Sequence, residues 1–69
     1  MEQHESYEFK IFEDPHGCGW YYEIYTDDKD YLFYNRTNIF RESDVWYDTE
    51  QEARFAAIGH IELLLSGEG

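Results

Sequence analysis

Alternating apolar and polar residues predict two β-strands in the first part of the chain. Residues 6–12 (SYEFKIF) and residues 20–26 (WYYEIYT) repeat with a period of two, which is typical of strands with one buried face. Residues 13–19 (EDPHGCG) hold Pro, two Gly and Asp, and therefore predict a turn or loop between them. The expected inward-facing residues are Tyr7, Phe9, Ile11, Trp20, Tyr22 and Ile24.

The middle of the chain predicts a hairpin followed by a less regular segment. Residues 27–30 (DDKD) indicate a hairpin turn, and residues 31–35 (YLFYN) a returning strand. We expect residues 36–43 to form an irregular connection and residues 44–47 a last short strand. The polar residues 1–5 are expected to fray.

A capping box predicts a C-terminal helix over residues 50–65. Thr49 stands three residues before Glu52, so its hydroxyl can accept the backbone N–H of Glu52. Gly67 follows as a natural helix end. The residues expected to pack on the sheet are Ala53, Ala57, Ile61 and Leu64, flanked by Ile58 and Leu65.

A second apolar stripe follows the same helix through Phe55, Gly59 and Leu63. It is not needed to cover one face of a small sheet. Either a loop or the N-terminus covers this stripe, or it forms a homodimer contact with a second copy of the chain.

These elements predict one α+β domain over residues 1–69: a small antiparallel sheet of three to four strands with one C-terminal helix packed on one face. A chain of 69 residues buries only about 60% of the surface that its unfolded form exposes. Aromatic residues make up 20% of the chain, and their large side chains can supply a core without disulfides. The single Cys favours a reducing compartment. With no leader and no apolar run of about 18 residues, we expect a cytoplasmic protein that does not enter a membrane.

The charge balance bears on the class of partner. Sixteen acidic residues against five basic ones give a net charge of −11. Direct binding to DNA or RNA is unfavourable, because phosphate contacts need Lys and Arg. A basic partner protein suits this charge, although acidity can also serve solubility alone.

The sequence offers little catalytic chemistry. It contains no Gly-rich phosphate loop and no nucleophile elbow. His16 and Cys18 could hold a metal together with His4, or act as a base and a thiol, but a zinc site usually shows two pairs of ligands. We therefore expect no enzyme, no cofactor and no metal site.

Acidic residues and tyrosines remain as candidate contacts with a partner. Acidic residues cluster on both sides of the predicted last strand and around residues 27–30, and tyrosine supplies rigid area with a polar tip. The candidate contacts are Asp27, Asp28, Asp30, Glu42, Asp44, Asp48, Glu50, Glu52, Tyr21 and Tyr25.

The region from Trp20 to Leu65 resembles the small βββα domains that phages and bacteria often encode. Its aromatic hairpin precedes WYDTEQEARFAAIGHIELL, which contains the pattern T-x-x-E-A-x-x-A. In size and acidity the chain also resembles phage DNA-mimic inhibitors of the anti-CRISPR and anti-restriction type. This resemblance implies a nucleic-acid-binding target in the host cell, such as a CRISPR or restriction effector. The alternative is a small homodimeric accessory domain whose acidity keeps it soluble.

Overall fold

The protein forms a four-stranded antiparallel sheet with a long helix across one face, in a computed structural model that describes residues 1–67. The strand order in the sheet follows the chain, and each strand pairs with the next. The α+β class and the C-terminal helix on the sheet are therefore confirmed. The elements are β1 (Glu2–His4), β2 (Tyr7–Glu13), β3 (Trp20–Tyr25), α1 (Lys29–Asn35), β4 (Ile39–Glu42) and α2 (Glu50–Leu65).

The core lies between α2 and the predicted inward face of β2 and β3. Phe9 and Ile24 are fully buried there, and Ile61 meets them from the helix. Burying a side chain of this kind contributes about 1.5–3 kcal/mol. Ala53 and Ala57 are also fully buried, and their small side chains let α2 lie close to the aromatic strands.

The predicted signals mark both ends of α2. The Thr49 hydroxyl accepts the backbone N–H of Glu52 at 3.1 Å, as the capping box requires. Gly67 has a positive φ of 86°, and its N–H donates to the carbonyl of Leu64 at 3.2 Å. The helix therefore spans Glu50–Leu65, the range that the sequence predicts.

The prediction that the N-terminus frays is wrong for residues 2–4. These residues pair with β2, and Glu2 and His4 alternate onto the same face as α2. The Glu2 carboxylate lies 2.7 Å from Nε of Arg54, and His4 Nε2 lies 3.4 Å from Glu62. The edge strand is thus held by polar contacts with the helix, which an apolar periodicity does not reveal.

The predicted hairpin over residues 27–35 is also wrong, because the chain forms α1 there. The Asp28 carboxylate accepts the backbone N–H groups of Asp30 and Tyr31 at 2.9 and 3.1 Å, which makes Asp28 a helix N-cap. Arg36 ends the helix in the left-handed conformation. Local capping therefore outweighs the strand preference of the aromatic residues.

The last strand lies earlier in the chain than predicted. Residues 36–43, predicted as an irregular connection, contain β4. This strand pairs with β3, and the register shifts between Ile24 and Tyr25. Of the strand expected at residues 44–47, only Tyr47 is paired, in an isolated bridge with Trp20.

Candidate functional site

The face of the sheet away from α2 carries a mixture of aromatic and acidic side chains. Along β3, Tyr21, Glu23 and Tyr25 lie on this face, because Tyr22 and Ile24 point into the core. The strand register places their cross-strand partners beside them. We call this surface the open face; it comprises Glu8, Lys10, Phe12, Tyr21, Glu23, Tyr25 and Glu42.

Contacts within the open face order its aromatic side chains. Phe12 and Tyr21 stack with ring centroids 5.1 Å apart, and Lys10 Nζ lies 5.1 Å from the centre of the Phe12 ring. The Tyr25 hydroxyl donates to a carboxylate oxygen of Glu23 at 2.8 Å. Burial, together with this bond, raises the pKa of Tyr25 above its ordinary value, so the phenol keeps its proton.

The open face also brings like charges together. Glu23 and Glu42 are direct cross-strand partners, and like charges in this position repel. Lys10 is the partner of Glu23 on the other side. Lys10 on β2, Glu23 on β3 and Glu42 on β4 therefore lie in one row across the sheet, and the β4 side of this row is negatively charged.

A groove of about 280 Å³ lies at the end of the open face beside Glu42. We call it the Trp46 groove. Within residues 1–67, the carboxylates of Glu42 and Asp44 accept no hydrogen bond and form no ion pair. The residues that line the Trp46 groove are Asp14, Tyr21, Glu42, Ser43, Asp44, Val45 and Trp46.

Asp14 differs from the other two carboxylates of the groove. Its Oδ2 atom accepts the backbone N–H groups of His16 and Cys18, at 2.9 and 3.1 Å. Hydrogen bonds to the charged form, chiefly from Cys18, lower the pKa of Asp14. Asp14 thus remains ionised while it shapes its own loop.

Backbone contacts fix the segment that carries Trp46. Trp20 and Tyr47 exchange two backbone hydrogen bonds of 2.8 and 2.7 Å. Ser43 exchanges two more with Tyr22: its N–H donates to the Tyr22 carbonyl, and its hydroxyl accepts the Tyr22 N–H. Both ends of the segment are therefore tied to β3.

Gly19 permits this close approach. Its φ is +130°, and a Cβ atom on it would lie 2.5 Å from the carbonyl oxygen of Tyr47 and 3.2 Å from Cβ of Trp46. A side chain at position 19 would push the Trp46 segment away from β3.

A second, more polar groove of about 220 Å³ lies towards the other end of the open face. Tyr25 and Asp27 contribute to it. The remaining lining residues are Gln3, Ser6, Glu8, Thr26 and Asn38.

The structure divides the predicted contact residues among several places. Tyr21, Glu42 and Asp44 come together at the Trp46 groove, and Tyr25 and Asp27 lie at the second groove. The other members belong to helix starts. These are Asp28 and Asp30 at α1, and Asp48, Glu50 and Glu52 at α2, which packs on the opposite face of the sheet.

Some of these acids are engaged within the chain. Asp28 is occupied by its capping bonds. Glu50 lies 2.8 Å from Nη2 of Arg54, in an ion pair one helical turn apart. All eight predicted acids are exposed, but they do not form one continuous array.

Sequence reasoning missed several members of this site, among them Glu23, Val45 and Trp46. The alternation in WYYEIY places Glu23 between Tyr21 and Tyr25, and this signal could have found it. The sequence predicts a strand that includes Val45 and Trp46. Each keeps 54% of its surface exposed, because only Tyr47 of that segment pairs with the sheet.

His16 and Cys18 lie in an exposed turn. The Asp14 carboxylate raises the pKa of the Cys18 thiol through a hydrogen bond, which opposes activation as a nucleophile. In the part of the chain that the structure describes, no group of three or more His, Cys, Asp or Glu residues is placed to hold a metal ion. Neither α1 nor α2 is long and apolar enough to cross a membrane, over the same residues.

The second stripe of α2 is left uncovered by the described chain. Phe55 is 63% exposed and Leu63 49% exposed. Gly59 lies between them, and a Cβ atom on it would meet nothing within 4 Å. The N-terminus contacts α2 at Arg54 and Glu62 and leaves Phe55 open.

Comparison with known proteins adds no relative: no family model, no curated protein and no solved structure matches this chain.

Proposed function

We propose that this protein is a non-enzymatic acidic binding protein that covers the basic, nucleic-acid-binding surface of another protein and blocks it. The observation that carries the proposal is the open face with its Trp46 groove. There the carboxylates of Glu42 and Asp44, which have no partner among residues 1–67, stand beside Tyr21 and Trp46. Acidic groups around exposed aromatic side chains suit a surface that otherwise receives phosphates and bases.

The charge of the chain supports this role. A net charge of −11 attracts a basic surface over a distance set by the salt concentration. Complementary charge of this kind raises the association rate and excludes partners of the wrong sign. The cross-strand pair of Glu23 and Glu42 adds negative charge at a point where the two carboxylates repel each other.

The resemblance to DNA-mimic inhibitors suggests a class of target. A CRISPR or restriction effector holds nucleic acid in a positively charged channel, which the open face would enter. On this proposal the protein acts in the cytoplasm of the cell that contains the effector. Asp27, Asp48 and Glu52 would then contribute long-range attraction more than direct contact.

A second candidate function is that of a homodimeric accessory domain. The exposed stripe of Phe55, Gly59 and Leu63 favours it, because the stripe is apolar and uncovered on α2. In that case the charge serves solubility, and α2 rather than the open face is the functional surface.

A pull-down from a bacterial lysate at low and at high salt separates the two candidates. The bait is the wild type, and the control bait is the double variant Glu42→Lys and Asp44→Lys. Our proposal expects the wild type to retain a basic nucleic-acid-binding protein at low salt and to release it on addition of duplex DNA. Retention that neither salt nor DNA disturbs, or equal retention by the control bait, would contradict the proposal.

A further inference from the structure

We infer that the Trp46 groove is a receptor for one arginine side chain of the partner protein. The inference rests on the proposed function and extends it. Mimicry of phosphate charge needs only carboxylates, whereas this groove adds a flat apolar wall at a defined place.

The wall of the groove has the chemistry that a guanidinium group favours. Trp46 is 54% exposed and Tyr21 lines the same cavity, so aromatic ring surface is available for stacking. Val45 adds aliphatic surface for the methylene stem of the arginine. A guanidinium over an aromatic ring is attracted to the electron-rich ring face, and the attraction is stronger when water is excluded.

Two carboxylates at the rim of the groove, those of Glu42 and Asp44, supply the negative charge that attracts a guanidinium group. Glu42 and Asp44 have no partner within residues 1–67, so both carboxylates are free to accept the N–H groups of a guanidinium. Carboxylates accept two parallel N–H donors from arginine, which lysine cannot offer. No Lys, Arg or His is among the described residues that line the cavity.

The size of the groove fits a side chain. Pockets for drug-sized ligands span about 300–1,000 Å³. The Trp46 groove, at about 280 Å³, falls just below that range. A single long side chain that enters from a partner surface is therefore the better occupant.

The backbone of the segment that carries Trp46 is held in place before binding. The Trp20–Tyr47 bridge and the Ser43–Tyr22 bonds tie both ends of the Trp46 segment to β3, and Gly19 allows the contact. A preorganised backbone loses little conformational entropy when an arginine binds, which favours affinity.

Binding of a deca-arginine and a deca-lysine peptide tests this inference, because the two peptides share the same charge. We expect the wild type to bind deca-arginine at least about fivefold more tightly, as expected for about 1 kcal/mol of added stacking. Trp46→Ala should remove this preference. Phe33→Ala is the matched control, since Phe33 is an exposed aromatic residue on α1, outside the groove, and should keep the preference.

A charge-matched pair of variants tests the rim. Glu42→Gln with Asp44→Asn removes two charges at the groove, and Glu52→Gln with Asp27→Asn removes two elsewhere. The first pair should lose the arginine preference and the second should keep it. In the wild type, deca-arginine should also shift the NMR signal of the Trp46 indole N–H more than that of Trp20, a readout that needs no variant.

The outcomes separate this inference from the proposed function. If both peptides bind equally well and Trp46→Ala changes nothing, the arginine receptor is overturned while acidic docking stands. If neither peptide binds the wild type, the proposed function fails and the receptor fails with it.

Discussion

Glu23 on β3 and Glu42 on β4 are direct cross-strand partners, so two carboxylates face each other across the sheet. Among residues 1–67, Glu23 has a hydrogen-bond donor and Glu42 has none: the Tyr25 hydroxyl donates to Glu23 at 2.8 Å. Directly opposed like charges destabilise a sheet, by up to about 1 kcal/mol for a pair. A local cost to stability beside half-buried aromatic residues and the exposed Trp46 is what a binding surface would show.

Replacement of Glu42 by Lys should therefore separate stability from binding. Glu42→Lys turns the repulsion with Glu23 into attraction, and we expect the free energy of unfolding to rise by about 0.2–1 kcal/mol. Partner binding should fall, because the groove loses one carboxylate and gains a cation. Urea unfolding and the pull-down measure the two effects, with Glu13→Lys as an exposed control on β2. A less stable Glu42→Lys variant would show that the pair does not repel in the folded protein.

Tyr22 should make the protein sensitive to alkaline pH. Its hydroxyl lies 2.8 Å from Nδ1 of His60, and burial raises the pKa of Tyr22 from 10.0 to about 12. The folded state thus holds this proton more tightly than the unfolded state. The stabilisation is complete below pH 10 and is lost as the pH rises through the interval from 10 to 12.

Denaturant unfolding across this pH interval measures that loss. Tyr22→Phe should be less stable at neutral pH by about 1 kcal/mol, because the bond to His60 is removed. It should also lose less stability than the wild type between pH 10 and 12. Tyr34→Phe, on the exposed side of α1, serves as the control. An identical alkaline loss in Tyr22→Phe and the wild type would contradict the assignment.

Gly19 should be the glycine that tolerates substitution least. In Gly19→Ala the new Cβ would lie 2.5 Å from the Tyr47 carbonyl oxygen, and the backbone at φ +130° is strained as well. We expect a loss of at least about 2 kcal/mol and a displaced Trp46 segment, seen as a changed Trp46 indole signal. Gly17→Ala is the matched control, because it also has a positive φ but its Cβ would meet nothing within 4 Å. Equal losses in both variants would mean that strain alone, and not the contact with Tyr47, decides the effect.

Phe55 tests the homodimer directly. If α2 forms a dimer through its second stripe, Phe55→Asp should produce monomers, because a buried carboxylate would lie in an apolar contact. Phe33→Asp, at another exposed aromatic position (on α1), controls for the added charge. The molar mass in solution, from light scattering, is the measurement. The same mass for the wild type and Phe55→Asp would exclude this interface.

The parts of the fold that the sequence predicts are those governed by periodicity and capping. Phe9, Ile24 and Ile61 are buried as the alternation and the helical pattern require. Thr49 and Gly67 act at the two ends of α2. These signals are local, so a single sequence contains them in full.

The errors arise where polar contacts between distant residues decide the structure. The N-terminal strand β1 is held by the hydrogen bond that Arg54 donates to Glu2, a residue 52 positions away in the sequence. Residues 29–35 form a helix and not a strand because the Asp28 carboxylate caps it, whereas the sequence predicts a hairpin turn at Asp28. Neither effect alters the apolar pattern.

The sequence could not show how the candidate contact residues are arranged, for a similar reason. Residue type indicates that Glu42, Asp44 and Tyr21 are surface contacts, but only the pairing of β3 with β4 brings them together. The same pairing separates them from Glu50 and Glu52, which belong to the helix layer. Trp46 joins them because Gly19 lets residues 45–47 approach β3.

Competition with nucleic acid tests the central claim most directly. Once a target is captured, its affinity for duplex DNA is measured with increasing amounts of the wild type and of the Glu42→Lys, Asp44→Lys double variant. We predict that the wild type raises the apparent Kd for DNA in proportion to its concentration, and that this effect weakens steeply with salt. The double variant should remain folded and have little effect. Unchanged DNA affinity in the presence of bound wild type would contradict the account, because the protein would then occupy some other surface of its target.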